Sequence, residues 1–116
     1  MRGRPRSFAR HELPYTVVGI CVAVIADYNR REKEIRKGTL TEPLLSSYQK
    51  YNDIVNKAAM CIEDGNKGEF ISDIETGRGY RHSRLAGEYT SWSYYARKRD
   101  FIYKVAAGLG FCECNE

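Results

Sequence analysis

Apolar residues at Val18, Cys21, Val22, Ile25, Tyr28 and Ile35 recur at roughly helical spacing. Pro14 suits the first turn, and Lys37-Gly38 closes the run. The β-branched content of the first half also fits a buried strand. The charged continuation from Asp27 to Lys37 has no strand period, however, and no turn signal interrupts it. The pattern predicts one helix over Tyr15 to Lys37. Beyond a short loop at Gly38 to Leu40, Thr41 is a candidate N-cap and Pro43 a first-turn residue. Leu44, Tyr48, Tyr51, Val55, Ala58 and Ile62 then alternate in steps of four and three, an apolar seam that places Tyr48 and Tyr51 in the core and ends near Asp64-Gly65. Two neighbours of similar length joined by a short loop should pack as an antiparallel hairpin.

Phe70, Ile71 and Ile74 predict a short third helix over Lys67 to Thr76, ended by Gly77 and Gly79. Ser83 to Ala86 can form a turn or two before Gly87. Thr90 or Ser91 can then cap a last helix running to about Leu109 and stopped by Gly110. Tyr94, Phe101, Ile102, Val105 and Leu109 line one side of it, and Arg97, Arg99 and Lys104 point elsewhere. The expected fold is all-α with four to five helices. A helical hairpin over residues 14–64 braces a helix-turn-helix region over 67–110, preceded by a flexible basic arm over 1–13 and followed by a tail over 111–116.

A chain of 116 residues corresponds to one domain. The longest apolar stretch, Tyr15 to Ala26, is a dozen residues long, where a membrane-spanning helix needs roughly 20. Arginines precede that stretch, but no small-residue cleavage site follows it, so the expected compartment is the cytoplasm and no membrane partner is expected. Of the four cysteines, Cys21 and Cys61 sit inside apolar helical patterns. Cys112-x-Cys114 lacks the second pair or the histidines that a closed zinc site needs. His11 and His82 belong to no metal-spaced cluster, and neither a glycine-rich phosphate loop nor a nucleophile elbow is present. Neither a cofactor nor catalysis is expected.

Charge changes the picture more than composition does. The net +4 conceals +4 on residues 1–10, −3 on 11–77, +5 on 78–104 and −2 on the tail. Positive charge gathered at the two ends of a helical chain suits a polyanion. The first turns of the last helix offer Ser91, Trp92, Ser93 and Tyr95 to base edges, followed by Arg97, Lys98 and Arg99, which can reach a guanine edge or a phosphate. Arg81 and Arg84, flanking His82 and Ser83, are candidate phosphate contacts. Arg2-Gly3-Arg4-Pro5-Arg6 looks like the core of an AT-hook, with Arg4 at its centre, an arm that could lie in a narrow minor groove. Tyrosines 80, 89, 94, 95 and 103 among these bases also raise stacking on unpaired RNA or single-stranded DNA as a lesser reading.

The stretch Ile71 to Gly79, then Ser91-Trp92-Ser93-Tyr94-Tyr95-Ala96-Arg97-Lys98-Arg99-Asp100-Phe101-Ile102-Tyr103-Lys104-Val105-Ala106 and Leu109-Gly110, resembles phage and prophage transcriptional regulators of the RinA and ArpU type. The opening Leu13-Pro14-Tyr15, with Asp27-Tyr28-Asn29-Arg30 at the end of a long helix, is similar to the start of that group. The resemblance touches about half the chain. It implies a sigma-factor-like helix-turn-helix that activates phage late or packaging genes, with Ser91 as the cap, Tyr94 and Phe101 as core anchors, and Arg97, Lys98 and Arg99 facing DNA. This chain departs from the pattern in its arginine arm and in Gly87-Glu88-Tyr89 at the turn, where Glu88 is unfavourable near DNA unless it faces away. Double-stranded DNA is the expected partner, and RNA polymerase and a second copy of the chain are further candidates. The alternative is a helical protein-protein adaptor that uses the second helix's seam and does not bind DNA.

Overall fold

A computed structural model describes residues 12–63 and 65–113, and every regular element among them is helical. The fold is all-α, as expected. α1 (Tyr15–Ala26) starts after Pro14, whose carbonyl accepts from Val18 N–H at 3.0 Å. At Asp27 the backbone leaves helical geometry (φ −93°, ψ 3°), and α2 (Tyr28–Lys37) follows. The interruption is local. Asp27 N–H still donates to Ala23 O at 3.2 Å, and its carbonyl accepts from Arg31 N–H at 3.0 Å. The single helix expected over Tyr15 to Lys37 is therefore two, and the reason lies in their partners. α1 packs mainly against α4 (Lys67–Thr76) and α5 (Ser91–Gly108), whereas α2 packs against α3 (Leu44–Ala58). Only the second half of the predicted first helix forms the expected hairpin with the second.

The contact between α2 and α3 is polar. Arg31, 4% exposed, donates from Nε to Asn52 Oδ1 at 2.6 Å and from Nη2 to Val24 O at 2.5 Å, and its Nη1 lies 3.5 Å from Asp27 Oδ2. Asn52, also buried, donates onward to Glu32 Oε2 at 2.8 Å. A buried guanidinium is tolerated only when its donors are matched in this way. The apolar seam expected on α3 is accordingly confined to its C-terminal end, where Val55, Ala58 and, past a 3-10 turn at Ala59–Cys61, Ile62 are buried. Tyr48 is half-buried and Tyr51 is exposed, not core, and Arg30 and Arg31 lie over their respective rings. The helix also ends at Ala58, short of the predicted Asp64-Gly65, and its N-cap position is Pro43, not the expected Thr41.

α4 has the predicted bounds. Gly77 (φ +72°) ends it, with Gly77 N–H bonded to Ile74 O and Arg78 N–H to Asp73 O at 2.8 Å. This double closure needs a left-handed residue, which glycine adopts without penalty. Gly110 (φ +88°) closes α5 in the same manner through Phe111 N–H and Ala106 O. The core lies between α1, α4, α5 and the end of α3. It contains Cys21, Ile25, Val55, Phe70, Ile71, Leu85, Tyr94, Phe101 and Val105. Phe70 stacks on Tyr94 at 5.1 Å, and Tyr80 and Tyr95 close on the same ring at 5.4 and 5.0 Å. α3 and α5 approach so closely at Gly108 that a Cβ there would lie 2.7 Å from Ile54 Cγ2. Residues 77–90 link α4 to α5. The turns expected at Ser83 to Ala86 form without becoming a regular helix, with Ala86 N–H bonded to Ser83 O at 3.2 Å and Glu88 N–H to Leu85 O at 2.9 Å; a 3-10 turn at Tyr80–His82 precedes them, and the Tyr80 hydroxyl lies 2.6 Å from Ala86 O and 2.5 Å from Tyr89 O. Among the described residues no helix is long and apolar enough to cross a membrane.

Candidate nucleic-acid interface

The N-terminal half of α5 is held rigidly before it presents anything. Thr90, one of the two expected caps, caps the helix, its hydroxyl accepting from Ser93 N–H at 3.1 Å, where the resemblance implied Ser91. One turn in, Tyr94 is wholly buried, and its hydroxyl donates to Asp73 Oδ2 at 2.8 Å. Burial and the neighbouring carboxylate push the Tyr94 phenol above its ordinary range, so it remains a neutral donor. Asp73 is itself fully buried. Its Oδ1 has no hydrogen-bond partner, but Arg78 Nη1 stands 3.5 Å away as a compensating charge. These bonds and the ring stack around Tyr94 lock one face of the helix against α4 and the link.

The opposite sector carries the exposed groups. At about 100° per residue, Trp92, Tyr95 and Arg99 fall within about 60° of one another around the axis. Trp92 is 62% and Tyr95 39% exposed. Lys98 Nζ lies 5.7 Å from the Tyr95 ring centre, a cation–π contact that keeps the ammonium on this side. Tyr80 N–H donates to Tyr95 Oη at 3.0 Å, docking the 3-10 turn beside the sector. Arg81 on that turn and Arg84 just beyond it are exposed, as are His82 and Glu88 of the same link. Ser91 is exposed at the helix start, whereas Ser93 is half-buried.

The expected DNA face does not include all of its candidates in one place. Arg97 lies about 200° around the helix from Arg99 and turns toward the α3–α4 loop. There its Nη2 meets Glu63 Oε2 at 2.7 Å and its Nε meets Oε1 at 3.3 Å. Arg97 and Arg99 are half-buried, not exposed, and burial lowers the Arg99 guanidinium from its ordinary value. Tyr89 donates its hydroxyl to Glu63, and Asn66 Nδ2 donates to Tyr89 Oη at 3.1 Å. Arg97 and then Tyr89 hold the Glu63 carboxyl down to about 2. Reading along the chain gives no sign of this cluster, because Glu63 looks like the end of a solvated helix and only the fold brings it to residue 97. Arg4, His11 and Cys114 lie outside the described residues.

Thiol chemistry finds little support. Burial pushes the Cys61 thiol up to about 12, with Asp100 adding to it, and burial raises Cys21 as well. Such thiols stay protonated and weakly nucleophilic at neutral pH. The described residues contain no group of three or more His, Cys, Asp or Glu placed to hold a metal ion. Comparison with protein-family models, characterised proteins and solved structures returns no match.

Proposed function

We propose that this chain is a sequence-specific double-stranded DNA-binding protein, with the N-terminal half of α5 as its reading element. The observation that carries the reading is the division of that half-helix. Tyr94 is bonded into the core, while Trp92 and Tyr95 are exposed on the outward side beside the turn bearing Arg81, with the half-buried Arg99 in the same sector and Lys98 drawn to the Tyr95 ring. A helix held on one side and offering aromatic and basic groups on the other suits the major groove. Arg81 and Arg84 would lie along phosphates, and Arg4 would add a contact from the N-terminal arm. The resemblance of Ser91 to Ala106 to RinA- and ArpU-type regulators supports transcription control of prophage genes as the setting, with RNA polymerase as a further partner. The adaptor reading keeps one observation in its favour: Leu44 (47%) and Tyr51 (38%) leave part of the α3 seam exposed.

The test is fluorescence-anisotropy binding to a randomised duplex pool over a salt series, with sequencing of the bound fraction. Salt-sensitive binding and an enriched motif are expected. Arg81→Ala with Arg84→Ala should weaken binding to all sequences alike and lower the salt slope by about 2, one per phosphate contact. Trp92→Ala should blur the motif and leave the slope unchanged. No binding at low salt, together with a dimer in sedimentation equilibrium that Tyr51→Glu dissociates, would replace this reading with the adaptor.

A further inference from the structure

We propose that Arg97 and Tyr89 form a phosphate-binding site where α5 meets the α3–α4 loop, and that Glu63 is a built-in competitor for it. The proposal deepens the DNA reading and rests on it for the identity of the macromolecule. Arg97 grips the Glu63 carboxylate with two nitrogens, Nη2 at 2.7 Å and Nε at 3.3 Å. This is the forked arrangement by which a guanidinium also takes a phosphate. The Tyr89 hydroxyl points at the same carboxylate, oriented from behind by Asn66. Two donors on separate segments thus converge on one anionic group at the surface.

That group is displaceable. The Arg97 and Glu63 side chains are 39% and 49% exposed, and an ion pair so open to water contributes little net stability. Glu63 lies outside the helices. Ile62 before it is extended (φ −103°, ψ 141°) and Gly65 just after it is left-handed (φ +89°), so the carboxylate can leave without unwinding an α-helix. A phosphodiester reaching Arg97 must expel Glu63, so this contact forms only where the rest of the interface holds the backbone against it. Acidification does not release the lock near neutrality, because Glu63 stays ionised.

Two titrations test the site, each on the full chain and on Glu63→Gln, which keeps the side chain's shape. In the first, inorganic phosphate is titrated while the Arg97 Nε–Hε resonance is followed by NMR. The resonance should move in Glu63→Gln at a concentration up to about fivefold lower than in the parent, as expected for the loss of a weak surface pair. In the second, duplex DNA affinity is measured over a salt series. Glu63→Gln should bind about fivefold more tightly with a salt slope steeper by about 1, and this gain should vanish when Arg97→Ala is added. A gain of the same size with and without Arg97 would mean a general charge effect and overturn the proposal. So would an Arg97 resonance that phosphate moves equally in parent and variant, or in neither. If no form of the protein binds duplex DNA, the DNA reading falls and the phosphate titration alone decides the site.

Discussion

Tyr94 is the residue on which most of the candidate interface depends. Its ring stacks on Phe70 and its hydroxyl satisfies a carboxylate with no exposure to water. Tyr94→Phe keeps the ring but strips Asp73 of its one close hydrogen bond. The expected cost is about 1–3 kcal/mol, because a buried acceptor left unmatched bears its full desolvation penalty. Urea unfolding of the two proteins measures it. Glu63 gives a pH-dependent signature. Its carboxyl ordinarily titrates at 4.5 and is held at about 2 in the fold, so its contribution is complete above 4.5 and lost as pH falls toward 2. The stability difference between the parent and Glu63→Gln should therefore shrink between about pH 4.5 and 2, and added salt should reduce it throughout.

At the scale of elements, α4 and α5 were legible because punctuation surrounds them. Gly77 and Gly110 supply the left-handed residues their closures require, and Thr90 stands where a cap belongs. The break at Asp27 was not legible, since aspartate is tolerated within a helix and the backbone bonding nearly continues through it. The reason for the break is tertiary. Arg31 and Asn52 misled for a related reason, because on an isolated helix both read as solvated surface. Their interface makes a sharp energetic prediction. Arg31→Ala strands Asn52 Oδ1 and Val24 O in a buried site and should cost about 3–5 kcal/mol, whereas Arg31→Met with Asn52→Leu should return to within about 2 kcal/mol of the parent. Thermal and urea unfolding of both variants distinguish a matched polar contact from an incidental one. Of the candidate site, Trp92, Tyr95, Lys98 and Arg81 could be read from charge and exposure patterns. The retention of Arg97 by Glu63 joins positions 34 residues apart and becomes visible only in three dimensions.

At the scale of the whole molecule, two kinds of contact hold together the five α-helices among the described residues. α1, α4, α5 and the end of α3 share one apolar core, while α2 meets α3 through a guanidinium, an amide and carboxylates. The proposed reading helix belongs to the apolar part, so its orientation depends on the more strongly buried contacts. The polar contact has a separate consequence for how the protein behaves when it opens in part. If α2 parts from α3, the surfaces released are ones that water solvates readily, so this opening offers neighbouring molecules no sticky face. Parting α1 from α4 and α5 would instead bare Ile25, Phe70 and Phe101, the kind of surface through which partly folded chains aggregate. The region of the fold with the least apolar cover is thus also the one whose local opening is harmless to solubility.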